Sequence, residues 1–440
     1  LNFQKICVIG LGYIGLPTAS TLATHGLEVL GVDTNPSVIE TLQAGKIHIH
    51  EPGLRDLVAQ AMHSGNFAFS TVPEEADAFL ITVPTPFQAD AQGEFEGRKY
   101  RLADMSAVIS ATESIIPYLR KGNLVILEST SPPRTTVDIV QPILERSGLK
   151  AGDDFYLCYS PERVLPGQIL RELIENARIV GGITADSARA GSDLYATFVK
   201  GKIIEANATT AEMVKLMENT TRDVNLAIAN EFSRLAERFG VDVWEAIRLA
   251  NLHPRINILN PGPGVGGHCV SVDPWFFVEA APELSQLIYQ ARQVNDAQPK
   301  FVVEKVRQAL GSLQDKKIAA LGLAYKPDVD DLRESPATEV IHLIQKEGAQ
   351  VKAWEPFKPD AYMEDINMAP SLESALTEAD AILLLVRHTE FVNLVPSEVA
   401  LKTKARVAID TVNAWNSNEW QKTGFQYHRL GDNKSPITRL

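Results

Sequence analysis

The chain is short of cysteine, of positive charge and of long apolar runs, and each shortage removes a class of protein. Only three cysteines occur in 440 residues: Cys7, Cys158 and Cys269. They are too few and too scattered for a disulfide framework or a zinc site, so no metal is expected, and a reduced, cytoplasmic setting is. The formal charge of −13 at neutral pH argues against a nucleic-acid surface. It still allows an anionic small ligand held by a local basic cluster. No apolar run reaches the roughly 18 residues of a membrane span, so no membrane partner is expected. The apolar start is broken by Gly10, Gly12 and Gly15 and reads as strand and turn rather than a signal segment. No short-period repeat or low-complexity tract appears. With 45% hydrophobic residues, about two to three globular domains with sizeable cores are expected.

What is present centres on Gly262-Pro263-Gly264-Val265-Gly266-Gly267-His268-Cys269, continuing Val270-Ser271-Val272-Asp273-Pro274. Glycine opens backbone angles closed to other residues and lets a ligand approach the main chain. Such a loop, delivering Cys269 to the start of a helix, suits a ligand-facing nucleophile. Free N–H groups and the helix dipole there favour thiolate. Asp273, four residues on, would share a helix face with Cys269. The same residues also suit a buried, inert cysteine behind a flexible loop.

Residues 1–200 read as a dinucleotide-binding Rossmann domain. The apolar run Lys5–Ile9 leads into Gly10-Leu11-Gly12-Tyr13-Ile14-Gly15, then a helical pattern, then a strand ending in Val32-Asp33. In strand, G-x-G-x-x-G, helix, strand, acid, the first glycine makes the turn. The second admits the pyrophosphate and the third packs helix on strand. Gly10, Gly12, Tyr13, Ile14 and Gly15 would hold the phosphates, and Asp33 the ribose hydroxyls. No Lys or Arg lies between Thr34 and Gly45 to meet a 2′-phosphate, which favours NAD over NADP. Further strands at 78–83, 123–127 and 155–159 imply a parallel, doubly wound sheet. Thr85, Thr130, Glu162 and Arg163 follow successive strands and would line one rim, although each threonine also suits plain turn chemistry. Residues 90–101 are polar and pattern-free and read as a surface loop.

Residues 201–312 read as a central helical domain and residues 313–440 as a second Rossmann-like domain. The fold class is therefore α/β, two doubly wound domains joined by helices. Thr209–Phe239 is free of Gly and Pro, giving one helix of about 45 Å. It carries Lys215, Asn219 and Arg222 on one stripe, which suits either a site or a solvated face. His253-Pro254-Arg255 lies beyond it, and residues 282–310 read as another helical stretch. A long helix followed by shorter ones is a common dimer platform. In the last domain the first turn reads Gly-Leu-Ala-Tyr-Lys-Pro, not G-x-G-x-x-G, so a ligand other than a second dinucleotide is expected. Tyr325, Lys326 and Arg333 stand where it would bind, with cations suited to phosphate. The last dozen residues carry no pattern.

GLGYIGLP, VPTP, EST, SPERVLPG, the Lys215/Asn219 helix, GVGGHC-x-x-x-D and YKPDVDDLRESP occur in one order along the chain. In this the chain resembles the UDP-glucose/GDP-mannose 6-dehydrogenase family over essentially its whole length. Gly-Gly-His-Cys, Pro-Glu-Arg-Val-Leu-Pro-Gly and Asn251-Leu252-His253-Pro254-Arg255 resemble the branch acting on UDP-N-acetyl-D-mannosamine. The resemblance implies oxidation of a UDP-sugar C6 alcohol to a carboxylate with two NAD, in a homodimer or higher homo-oligomer. It implies Cys269 as nucleophile, Lys215 and Asn219 as donors to the developing oxyanion, and Glu162 as base, with Thr130 and Asp273 placing water. It implies that Arg163, Val164, Lys215, Asn219, Arg222, His253, Arg255, Gly266, Tyr325 and Lys326 hold the UDP-sugar. Thr85, Thr130 and Arg333 would face the cofactor, and Arg255 would reach across a dimer interface. Ser131-Pro132-Pro133-Arg134 departs from the family, whose members often carry Gly soon after the Ser-Pro. Three rivals remain. One is a UDP-N-acetyl-D-glucosamine 6-dehydrogenase, another a β-hydroxyacid dehydrogenase without the cysteine step, and the third a nucleotide-sugar sensor without chemistry.

Overall fold

The run Lys5–Ile9 forms the first strand of the computed structural model, which describes residues 3–267 and 269–432. His268 of the Gly-Gly-His-Cys motif lies outside the described residues. So do residues 433–440, most of the pattern-free last dozen.

By internal contacts the chain forms two units. One holds everything up to Glu218 together with Trp275–Leu284, and the other holds Asn219–Pro274 with Ser285 onward. The strands of the first unit are β1 (Lys5–Ile9), β2 (Glu28–Val32), β3 (Phe67–Ser70), β4 (Ala78–Ile81), β5 (Phe87–Phe95), β6 (Arg98–Ala103), β7 (Leu124–Leu127), β8 (Tyr156–Tyr159), β9 (Arg178–Gly182) and β10 (Ile203–Asn207). Eight of them form one sheet in the order β10-β9-β8-β7-β4-β1-β2-β3. Alternate residues of β1 enter opposite cores: Ile6 and Val8 pack on one face, Cys7 and Ile9 on the other. Helices must cover both faces of such a sheet, which is why its strands read as continuous apolar runs.

Two features differ from the sequence expectation. The sheet is not wholly parallel, because β9 runs antiparallel to β8, with Tyr159 opposite Gly181. Residues 90–101 are not a loop but most of an antiparallel ribbon, β5 paired with β6. Its turn residues Glu96 and Gly97 both have positive φ, 50° and 77°, which matches the right-handed strand twist. Almost no side chain of the ribbon is buried, so it lacks the apolar alternation by which a strand is recognised. Arg98 over Phe95 and Arg101 over Phe87 supply its cross-strand contacts.

In the second unit β11 (Lys317–Leu321), β12 (Gln350–Trp354), β13 (Asn367–Met368), β14 (Ala381–Leu384), β15 (Val407–Asp410) and β16 (Gln426–Arg429) form a parallel sheet in the order β13-β12-β11-β14-β15-β16. The order reverses beside β11, as it does beside β1 in the first sheet, and ligands of open α/β sheets bind at such points. The long helix spans Ala208–Phe239, 32 residues. The stretch 282–310 is two helices, Gln286–Asp296 and Gln298–Leu310, with Pro299 in the first turn of the second. Proline has no N–H for a preceding turn, so it starts a helix rather than continuing one. Among the described residues no helix is long and apolar enough to cross a membrane, and no cluster of His, Cys, Asp or Glu is arranged for a metal.

Candidate active site

The glycines after β1 have three separate jobs. Gly10 has φ +95°, and a Cβ there would stand 2.9 Å from the Thr82 carbonyl oxygen. A Cβ on Gly15 would fall 1.8 Å from the Gly10 oxygen, so helix and turn touch there. A Cβ on Gly12 would meet nothing within 4 Å. The turn is thus closed by protein at two glycines and open at the middle one, where a pyrophosphate would approach. The helix Gly15–Thr24 starts at this turn with no side-chain cap and no acidic residue in its first turn. Its N-terminal N–H groups and dipole suit an anion. Asp33, just after β2, accepts from Leu11 N (3.0 Å) and Asn35 N (2.9 Å). Each carboxylate oxygen keeps a lone pair for a ribose hydroxyl. These residues fit a dinucleotide.

On the same rim, Thr85 donates to the Thr130 carbonyl (2.7 Å) and Ser129 to that of Val83 (2.7 Å), tying the ends of β4 and β7 together. The Thr85 hydroxyl therefore has a structural bond and only its acceptor side left. Glu162, two residues past Ser160, is held on both oxygens, by Arg163 N at 2.6 Å and by Arg178 Nη1 at 2.9 Å. Arg178 also donates to Glu128 (2.7 Å) and Ser160 (3.1 Å). Arg163 is committed to protein partners: Nε and Nη2 to the Glu218 carboxylate and Nη1 to the Ala177 carbonyl. Val164 packs at the edge of the core. Lys215 is half-buried and pairs with no carboxylate among the described residues. The family departure falls on Arg134, at φ +74°, a region glycine prefers. Buried Glu212 accepts its N–H at 2.6 Å and holds that conformation.

In the second unit Asn219 Nδ2 donates to Asp273 Oδ2 at 2.6 Å, and Asp273 N donates to the Cys269 carbonyl at 2.8 Å. The helix itself starts at Asp273, not at Cys269, so the cysteine sits one turn ahead of it. Cys269 is exposed, unlike Cys7 and Cys158, whose thiols burial pushes up to about 12. The glycine loop serves packing more than ligand approach. A Cβ would meet Pro336 at 2.7 Å from Gly264, the Glu334 carbonyl at 2.3 Å from Gly266, and the Tyr325 ring at 2.7 Å from Gly267. Gly262 alone faces open space, and its N–H and C=O are pinned by Asn230 (3.0 Å) and Gln298 (3.0 Å). Nothing in the sequence marked those amides, since they sit mid-helix and at a helix start.

Tyr325 lies against this loop, its hydroxyl pushed up to about 12 by burial and by Asp331 and Cys269, while Arg333 and Arg222 oppose the shift. Lys326 Nζ stands 5.7 Å from the Tyr325 ring centre. Arg333 forks onto Asp331, two bonds of 2.9 Å. His253 and Arg255 are exposed on a loop closed by reciprocal bonds between Asn251 and Ile258, 2.8 and 2.9 Å.

Family models match in this order: the NAD binding domain over residues 4–199, the central domain over 209–297 and the UDP binding domain over 319–417, all of the UDP-glucose/GDP-mannose dehydrogenase family. The chain belongs to that family. A UDP-N-acetyl-D-mannosamine dehydrogenase of Methanocaldococcus jannaschii is 47% identical over 98% of this chain and 97% of its own. An NDP-N-acetyl-D-galactosaminuronic acid dehydrogenase of Ralstonia solanacearum is 45% identical over 95% and 97%. The solved UDP-D-ManNAc dehydrogenase of Pyrococcus horikoshii superposes with a TM-score of 0.89 at 38% identity, covering 98% of this chain and 100% of that one.

As a member of the family the chain is an NAD-dependent UDP-sugar dehydrogenase, with its NAD-binding domain on the first sheet and its UDP-binding domain on the second. The second sheet also has an acid after its second strand, Glu355, but it is fully buried. It accepts from Leu323 N (2.8 Å), Ala324 N (3.0 Å), Phe357 N (3.1 Å) and the His388 Nε2–H (3.1 Å). The Asp328 N–H donates to His388 Nδ1, which fixes that tautomer. Burial and four donors close this carboxylate to a ribose.

Proposed function

We propose that this enzyme oxidises UDP-N-acetyl-D-mannosamine at C6 to the uronate in four electrons, through a thiohemiacetal and a thioester on Cys269. The observation that carries the chemistry is the linked set Asn219, Asp273 and Cys269, joined by bonds of 2.6 and 2.8 Å, with the thiol exposed. The relatives' names support the sugar. Gly10, Gly12, Tyr13, Ile14, Gly15 and Asp33 would hold NAD, which would supply the hydride acceptor for each of the two oxidations. Cys269 Sγ adds to the C6 aldehyde and keeps it on the enzyme. The Lys215 ammonium and the free N–H of the Asn219 amide stabilise the alkoxide and the oxyanions. In the last step the oxygen of water bonds to the thioester carbon, the C–S bond breaks and the thiolate leaves. Glu162 takes the water proton, with Thr130 and Asp273 placing that water. Arg222, Tyr325, Lys326, His253, Arg255 and the Gly266 backbone hold the UDP-sugar, and Arg333 faces the cofactor. Arg163, bound to Glu218, acts on the sugar through its remaining N–H groups or by holding Val164 in place.

The working form is a homodimer or larger homo-oligomer in the cytoplasm. Ile228, Phe232, Leu235 and Phe239 are each at least 40% exposed and fall on one stripe of the long helix, which supports self-association. In function the chain divides at residues 200 and 312, with the middle part as dimer platform and carrier of Lys215 and Cys269.

The test is kcat/KM for UDP-N-acetyl-D-mannosamine, UDP-N-acetyl-D-glucosamine, UDP-N-acetyl-D-galactosamine and UDP-glucose, read by NADH absorbance. The manno sugar is expected to lead by about 30- to 1000-fold, with two NADH per sugar, because a misplaced acetamido group loses its partner or clashes. A lead for another epimer refutes the sugar and spares the mechanism. One NADH per sugar refutes the thioester route.

A further inference from the structure

Arg178 is the most committed side chain on the rim of the first sheet. Its side chain is 5% exposed and meets two carboxylates, Glu128 on one arm and Glu162 on the other. Its Cζ stands 3.9 Å from the centre of the Tyr195 ring, and the Tyr195 hydroxyl donates to the same Glu128. The reversal of β9 explains its place: the first residue of an antiparallel strand lies beside the last residues of its neighbour, here the ligand-side end of β8.

The arrangement is more than the fold requires. Burying a guanidinium with two carboxylates is no more stabilising than an apolar packing of similar volume. One Glu128 oxygen is buried with no donor among the described residues. Burial pushes the Glu128 carboxyl up against the pull of Arg178, and the Glu162 charge pushes the same way. Arg178 Nη1 meanwhile donates to one oxygen of Glu162 at 2.9 Å. With the Arg163 N–H on its other oxygen, Glu162 is frozen in one orientation while each oxygen keeps a lone pair for water.

We infer that Arg178 is a positioning residue for thioester hydrolysis, holding the Glu162 carboxylate in its aimed orientation, with Glu128 and Tyr195 holding Arg178 in turn. The inference rests on the proposed role of Glu162. The groups facing Glu162 are Arg178 on β9, Glu128 just past β7 and the Arg163 main-chain N–H, with Tyr195 on the helix Ala185–Tyr195 behind them.

The experiment compares Arg178→Lys and the double variant Arg178→Gln/Glu128→Gln with Glu162→Gln. The double variant removes the buried charges together, so no carboxylate is left facing an empty partner, and thermal melting checks that it folds. Each is mixed with NAD and the UDP-sugar the wild type turns over best. In all three the NADH burst is expected to keep its wild-type rate while acid release falls about 10-fold or more. The Cys269 peptide gains a substrate-derived mass. A folded Arg178 variant that slows burst and release alike overturns the inference. An adduct in Glu162→Gln but in neither Arg178 variant overturns it while sparing the role of Glu162. No adduct and normal release in Glu162→Gln remove that role and the inference together.

Discussion

The chain builds one sheet order twice and uses the first turn of each sheet differently. Gly10 and Gly322 follow the first strands with nearly the same φ, +95° and +91°. After Gly10 the helix begins at once, at Gly15, and its bare N-terminus faces the open turn. After Gly322 the next helix begins only at Pro336. The intervening loop carries Lys326 and Arg333 and bends through positive φ at Asp328 and Glu334. The acids after the second strands diverge likewise: Asp33 keeps acceptor capacity open to a ligand, whereas Glu355 is fully buried beneath three backbone N–H groups and His388. The shared order fixes where a ligand binds. The turn fixes which ligand.

Gly15→Ala should break the comparison most severely. Its Cβ would meet backbone that cannot yield, so a loss of about 3 kcal/mol or more is expected in thermal or urea unfolding. Asp33→Ala should lower the preference for NAD over NADP about 100-fold in kcat/KM, by losing charged hydrogen bonds and a repulsion to the 2′-phosphate. Glu355→Gln should leave that ratio unchanged, and an equal fall in both variants would mean that the second sheet also reads the dinucleotide. Gly12→Ala should fold normally, since nothing lies within 4 Å of the new methyl, yet raise the KM for NAD about 10-fold.

Glu355→Gln should cost about 1–3 kcal/mol, because an amide N–H₂ must face donors. It also has a pH signature. Burial pushes the Glu355 carboxyl up, but His388 and the backbone donors outweigh it and hold it below its usual value. A lowered carboxyl stabilises the fold above its unfolded pKa of about 4.3 and loses that contribution as pH falls through the folded value. The gap between wild type and variant should therefore close in acid unfolding experiments. The smallest effect is expected of Ala324→Gly, the counterpart of Gly12: within about 1 kcal/mol and without any gain of a second NAD, as read by titration.

Much of this was legible beforehand because it is local. G-x-G-x-x-G with Asp33 predicts a turn whose reasons lie within a few residues of itself. The long helix follows from an unbroken run without Gly or Pro. The spacing of Asp273 from Cys269 gives the backbone bond between them, although the helix starts a turn later than the spacing suggested. The ribbon β5–β6 was not legible, because two strands exposed on both faces lack a period-2 apolar signal. Nor was the Arg163 pair, which needs Glu218 from 55 residues away.

Sequence by itself determined the family, the two sheets and the cofactor, since each is written in short-range spacing. Only the tertiary structure decided that the glycines before Cys269 are there for Tyr325, Glu334 and Pro336 to pack on, as a steric limit is set by whatever arrives from elsewhere. It likewise decided that β9 reverses and brings Arg178 between Glu128 and Glu162. Strand direction depends on how a chain returns to its sheet, and Arg-Ile-Val-Gly-Gly reads as a strand in either direction.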